Sequence, residues 1–334
     1  GVDMVGTDVA IKVIHPELSN REDLRTRFLN EGKTMRKLGE HDNIVFLYGM
    51  SEEDDGRLCI VMQYVEGEDI DRTIKNRGLL PAETALPIFW QTLQAIDFAH
   101  GYGVIHRDIK PSNILVQPSG RVQVMDFGIA FVRGGERVTI ASAPPGTPEY
   151  MAPELFNEES SDADELSDIY ALGVTLYEIM TAKVPFESKA TTTMAAFVNI
   201  ARRHESEDPP TPSSIYPFID AGVEQIILKA LAKNPRDRYQ TVAEFIEAVE
   251  EQADNLGISL VSIDDEQKKK TTPTPREVNK PETPAPQESP GEEDRFERVD
   301  NSVEQESDVP VAVVAMVWLV LVGVGYVIGS QLIG

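Results

Sequence analysis

Residues 311–328 read VAVVAMVWLVLVGVGYVI, eighteen consecutive positions without a charge. A helix of that length is about 27 Å long at roughly 1.5 Å per residue, close to the roughly 30 Å hydrocarbon core of a bilayer. Its position near the C-terminus excludes a signal peptide. A buried core helix is the alternative, but the preceding stretch offers no folded partner. Between Asp254 and Asp308 there are 15 acidic and 7 basic residues, with prolines at 273, 275, 281, 284, 286 and 290. Such a segment repels itself and has too little apolar surface to offset the entropy of ordering. The expected organisation is a folded domain over 1–252, a disordered Pro-rich acidic linker over 253–309, a transmembrane helix over 310–330 and a short tail, 331–334. Gly325 and Gly329 form a G-x-x-x-G pair that permits close approach of a second helix.

The folded region is long enough to bury a substantial core. The whole chain carries a net charge of -25, which argues against a nucleic-acid-binding body, since such bodies present basic patches. One cysteine, Cys59, excludes an intrachain disulfide and any Cys-based metal cluster. It lies in the apolar run Leu58-Cys59-Ile60-Val61, the setting of a buried structural thiol.

Apolar patterning divides this region in two. Residues 9–14 are rich in β-branched residues and predict a strand, and 44–49 and 57–64 predict two more. Between them, 22–38 has helical spacing, with Leu24, Phe28, Met35 and Leu38 apolar. After Gly67 helical patterns dominate, over 82–100, 167–181, 192–204, 220–232 and 241–252. A small β-rich part followed by a larger helical part is an α+β arrangement that can form two lobes.

The densest chemical signal is Ile105-His106-Arg107-Asp108-Ile109-Lys110-Pro111-Ser112-Asn113, which sets a carboxylate, an ammonium and an amide within six positions. The next is Asp126-Phe127-Gly128, a lone carboxylate after a short apolar run. Asp and Asn oxygens suit Mg²⁺, a hard cation often shared with phosphates, and Asp108 is able to accept a proton from a hydroxyl. Each acid alone is equally compatible with a turn former.

Taken together, Val9-Ala10-Ile11-Lys12, His106-Arg107-Asp108 with Asn113, Asp126-Phe127-Gly128 and Ala152-Pro153-Glu154 stand in the order and spacing of protein-kinase motifs. Over residues 1 to about 252 the chain resembles the eukaryotic-like Ser/Thr protein kinases of the membrane-bound bacterial kind. The resemblance implies a bilobal kinase fold, ATP and Mg²⁺ as cofactors, and Ser/Thr side chains of proteins as substrates. It also implies the site residues. Lys12 holds the α- and β-phosphates and pairs with Glu31, although Glu31 is also compatible with a solvated helix face. Asp108 is the catalytic base, Lys110 steadies the γ-phosphate and argues for Ser/Thr specificity, Asn113 binds a second Mg²⁺ and Asp126 the main one. Met62 is the gatekeeper, Gln63 to Val65 the adenine hinge and Leu115 the adenine floor.

The same resemblance makes Arg107 the mark of an activation segment ordered by phosphorylation. Thr139 is the first candidate phosphosite and Ser142 the second, and Thr147 contacts the base and the substrate backbone. Glu154 pairs with Arg238, Asp168 anchors the catalytic-loop backbone and His106 packs behind Phe127. The glycine-rich G-x-G-x-x-G loop is not found among the 11 residues before Lys12. The kinase domain is therefore expected to lack its first strand and phosphate-covering loop, as an N-terminally incomplete sequence would. If the protein itself lacks them, the alternative is a membrane-anchored pseudokinase or scaffold. A small-molecule kinase is disfavoured by Lys110 and Ala152-Pro153-Glu154, which serve protein substrates. ATP places the kinase domain on the cytoplasmic side of the membrane, and the linker is long enough for neighbouring copies to phosphorylate one another by self-association.

Overall fold

The computed structural model describes residues 1–2, 6–14, 22–127, 148–156, 163–190 and 192–260. Four β-branched residues in six positions make Val9–Ile14 the first strand, β1. Its side chains alternate between the two faces of the sheet. Ile11 and Val13 are exposed, while Ala10 and Ile14 pack against the core, and Lys12 shares their face. Strands β2 (Leu47–Glu52) and β3 (Leu58–Gln63) complete an antiparallel sheet in the order β1-β3-β2, with Lys12 opposite Ile60. Val2 bridges Asp8 ahead of it. Cys59 on β3 is buried and free.

Helix α1 (Glu22–Leu38) lies on this sheet and contacts β2. Its buried residues Phe28, Glu31, Met35 and Leu38 recur at helical spacing. Each apolar member of that stripe contributes roughly 1.5–3 kcal/mol of burial. Glu31 therefore sits in the middle of an apolar face. The packing is close at Gly32, where a Cβ would run into the Met50 side chain on β2.

The expected strand over 44–49 is displaced towards the C-terminus. Ile44 leaves this sheet to bridge Val124 in parallel, and a register shift lies between Leu47 and Gly49. Val45 N donates to Val124 O at 3.0 Å and Val124 N to Asn43 O at 2.8 Å, tying the sheet to the second lobe.

That second lobe is helical and carries a small sheet of its own. Strand β4 (Glu68–Asp69) leads into α2 (Ile70–Arg77), a helix absent from the expected set. The Asp69 side chain caps it by accepting from Arg72 N. Helix α3 spans Ala82–Gly101, and β5 (Ile114–Val116) and β6 (Val122–Val124) pair antiparallel in the order β4-β5-β6. Helix α4 (Glu165–Thr181) starts with a capping box between Asp164 and Ser167 and is buried on almost every side. Helices α5 (Thr193–Ser206), α6 (Pro212–Ile215), α7 (Ala221–Ala230) and α8 (Val242–Leu256) complete the lobe. A Cβ at Gly173 would sit 2.7 Å from the Ala230 Cβ, so glycine lets α7 approach α4.

Helix α8 runs past 252, and Ile258 and Leu260 still pack against the core. Ordered structure thus reaches into the stretch expected to begin the linker. Among the described residues no helix is long and apolar enough to cross a membrane. The run 311–328 and the linker from 261 onwards lie outside the described residues.

Candidate active site

Three distant segments converge on one ammonium. Lys12 Nζ lies 2.8 Å from Glu31 Oε1 and 3.0 Å from Asp126 Oδ1. The alternation of β1 delivers the lysine, the stripe on α1 the glutamate, and the turn after β6 the aspartate. Asp126 has φ of 65°, a left-handed conformation uncommon for a residue with a Cβ. Burial opposes charge on Lys12, but Asp126 and Glu31 outweigh it and hold the ammonium above its ordinary range. Burial pushes the Glu31 carboxyl up to about 7, with Lys12 opposing and Asp126 adding to the rise. Two carboxylates share one cation, so the cluster holds a surplus of negative charge. That surplus, with oxygen donors, is what a further cation would neutralise.

A second cluster lies on the loop between α3 and β5. Lys110 Nζ approaches Asp108 at 2.8 Å from Oδ2. Asn113 Nδ2 donates to the Asp108 carbonyl at 2.7 Å and to its carboxylate at 3.1 Å, which turns the amide oxygen the opposite way. Met125 N donates to Asn113 O at 3.0 Å, so the backbone itself sets Asp126 beside Asn113. Among the described residues no three or more His, Cys, Asp or Glu side chains are grouped to hold a metal ion. Two oxygen side chains completed by phosphates and water are nonetheless a usual Mg²⁺ environment, and Asn113 and Asp126 fit it.

The loop is fixed from below. Asp168 on α4 is buried and accepts from His106 N and Arg107 N, both at 2.8 Å. These bonds hold Arg107 at φ of 69°. His106 lies against Phe127 with ring centroids 4.5 Å apart. Its Nε2 faces Met125 O at 3.1 Å and its Nδ1 faces Asp108 N at 3.3 Å. A carbonyl only accepts and a backbone N–H only donates, so the ring is neutral with its proton on Nε2. Burial lowers the His106 pKa in the same sense, against the opposing charges of Asp168 and Asp108. Further down, Arg238 forms a bidentate pair with Glu154, both contacts at 2.8 Å, and stacks on Tyr170 at 4.8 Å.

The protein kinase domain family matches residues 3–249 of the chain. The chain belongs to that family. Among its relatives is the serine/threonine-protein kinase PknB of Mycobacterium leprae, 39% identical over 241 residues, or 71% of this chain and 37% of the relative. Serine/threonine-protein kinase PrkC of Bacillus subtilis is 39% identical over 241 residues, 72% of this chain and 36% of its own length. The chain thus spans little more than a third of these curated relatives. The crystal structure of the Mycobacterium tuberculosis PknI kinase domain superposes with a TM-score of 0.55 at 30% identity, covering 73% of this chain and 86% of that one. Rad53 1-466 in complex with AMP-PNP superposes with a TM-score of 0.56 at 28% identity, covering 73% of this chain and 58% of that one. The sheet-bearing N-lobe and the helical C-lobe are those of the kinase fold.

The remaining sequence-predicted site residues lie on or just after β3, on β5, or outside the described residues. Met62 is buried on β3, opposite both Ala10 and Leu47. Gln63 ends β3, and its N donates to Phe46 O at 2.8 Å, while Val65 packs against the core. Leu115 lies on β5 between Asp69 and Gln123. Thr139, Ser142 and Thr147 lie outside the described residues.

Sequence patterning missed two residues that shape the site. His100, in the last turn of α3, sets Nε2 2.8 Å from Asp168 Oδ2, so the carboxylate that braces the loop is itself braced. The only sequence clue was a histidine at a helix end with no metal-ligand spacing. Gly32 reads as a weak point in a helix, yet a Cβ there, one residue after Glu31, would meet Met50 Sδ on β2.

Proposed function

We propose that this chain is a membrane-anchored protein kinase that phosphorylates Ser or Thr of protein substrates with MgATP. The observation that carries the reading is the convergence of Glu31 and Asp126 on Lys12 beside the Asp108–Lys110–Asn113 cluster. The relatives' designation as serine/threonine-protein kinases and the nucleotide analogue in the Rad53 structure support it. When bound, MgATP supplies the transferable γ-phosphoryl group and the divalent cation.

The chain's own residues then divide the work. Lys12, oriented by Glu31, holds the α- and β-phosphates. Asp126 and Asn113 carry the Mg²⁺ ligand oxygens. Asp108 takes the proton of the Ser or Thr hydroxyl, and Lys110 neutralises charge at the γ-phosphate. Phosphoryl transfer passes through a loose transition state, so placement and neutralisation supply most of the catalysis. Gln63 and Val65 offer backbone groups to the adenine edge, Leu115 the floor and Met62 the rear wall. Thr139 and Ser142 are the sites of autophosphorylation by a neighbouring copy, and Thr147 contacts the substrate. The span 310–330 holds the kinase domain, 1–252, at the cytoplasmic face through the linker 253–309, and nucleic acid is not a partner.

Titration of the chain with Mg²⁺ at fixed ATP checks the metal assignment. Nucleotide affinity is expected to rise with Mg²⁺ in the parent and to lose that dependence in Asp126→Ala. A Mg²⁺ response that survives the substitution would contradict the role given to Asp126.

A further inference from the structure

A chain of amides centred on buried Gln123 joins the hinge end of β3 to β6, which leads into Asp126, and the phosphoryl-transfer residues do not use it. Gln123 lies at its centre, 3% exposed on β6, three residues before Asp126 and directly opposite Leu115 on β5. Its Nε2 donates to Gln63 Oε1 at 3.0 Å and faces Ile44 O at 3.5 Å. Its Oε1 accepts from Gln117 Nε2 at 2.9 Å. Gln63 Oε1 also faces Phe46 N at 3.4 Å. Amide oxygens and nitrogens are assigned from their partners. Here the backbone decides, because Phe46 N only donates and Ile44 O only accepts, so Gln63 presents oxygen and Gln123 nitrogen.

We infer that Gln123 is a positioning residue that sets the spacing between the hinge at Gln63 and the β5–β6 pair, which carries Leu115 and leads into Asp126. The inference rests on the proposed nucleotide site. Gln123 meets all three expected nucleotide-contacting segments: Gln63 by its side chain, Leu115 by strand register and Asp126 by sequence. Nothing in the clasp is charged, so it holds the same geometry across pH and salt. Removing it leaves the Gln63 side chain with one long backbone contact, so that only the main-chain bonds around Val124 still join the sheet to β6.

The test uses the full 334-residue chain in detergent, with MgADP as probe, calorimetry for affinity and thermal unfolding alongside. Q123A is expected to weaken MgADP binding about three- to tenfold, the range of one lost neutral hydrogen bond. Q117A removes the outer partner only and is expected to keep affinity within about twofold. An ion pair in place of the amide pair, Q63E with Q123K, is expected to recover affinity that Q123K alone loses. A merely structural role would lower the melting temperature in these variants without moving MgADP affinity. Unchanged affinity in Q123A, or no recovery in the paired variant, would overturn the inference while leaving the nucleotide site standing. Failure of the parent chain to bind MgADP would remove the nucleotide site, and this inference with it.

Discussion

The charged clusters of the two lobes are held in opposite ways. In the helical lobe, Asp168 is buried and takes two backbone N–H groups and the His100 ring, and Arg238 is buried with both Glu154 oxygens and backbone carbonyls as partners. Both of these charges are anchored to main chain. At the other cluster, Lys12 and Glu31 of the sheet lobe and Asp126 from the turn after β6 are held, among the described residues, by one another's side chains. The contrast separates a scaffold from a moving part. Charges anchored to backbone fix the catalytic loop, whereas a side-chain cluster with surplus negative charge is free to rearrange around a ligand. Substitutions at Asp168 and Arg238 should therefore register in stability, and those at Lys12 in activity.

The sharpest challenge to that division is Arg238→Ala. It removes both guanidinium contacts of Glu154, leaving the Ser167 hydroxyl at 3.3 Å, and should cost roughly 3–5 kcal/mol of stability, the usual penalty for breaking a buried pair. Chemical denaturation measures it, and a loss under about 1 kcal/mol would erase the contrast. Lys12→Met is the counterpart. Activity should fall about 10²–10³-fold, as when one preorganised donor to developing charge is lost. The melting temperature should move little, because Glu31 can take up a proton in place of the lost partner. A large drop in melting temperature would place Lys12 with the scaffold.

The third effect is on pH. Glu31 titrates near 7 in the fold, above the ordinary carboxylate value of 4.5. A carboxyl raised on folding gives stability that is complete below its unfolded pKa and is lost as pH rises through the folded one. Stability should thus decline between about pH 4.5 and 7 on account of Glu31, while activity rises as the ion pair with Lys12 forms. Glu31→Gln should flatten the stability slope. An unchanged slope would show that another group carries it.

The smallest effect is at Gly32. Alanine in a helix interior gains about 1 kcal/mol over glycine, but here its Cβ meets Met50 Sδ. The two effects should nearly cancel in Gly32→Ala. Adding Met50→Ala should restore activity if the clash displaces Glu31, which a double-mutant cycle of kcat/KM would measure.

Much of this was legible in the sequence because local rules and tertiary demands agreed. The β-branched run of β1, the stripe on α1 and the long helical patterns from 82 onwards kept their places. The departures have physical causes. The expected strand at 44–49 moved because Ile44 found a partner on β6, a tertiary pairing that propensity does not encode. Helix α2 is short and mostly polar, with only Ile70 and Ile74 buried, so its periodicity was weak. Of the site, the motif residues stood out by order and spacing. Glu31 could be placed on the core face only once its neighbours Phe28 and Met35 were seen to be buried with it. His100 and Gln123 act through other residues rather than on a ligand, and neither belongs to the motifs that exposed the site.

Phosphoryl transfer to protein hydroxyls by Asp108 is the central claim. The most direct measurement is incorporation of label from γ-labelled ATP with Mg²⁺, followed by phosphoamino-acid analysis, on the chain and on Asp108→Asn. Label is expected on Ser or Thr in the chain and should be lost in Asp108→Asn, with MgADP binding retained in both. Equal labelling of the two proteins, or none in either, would contradict it.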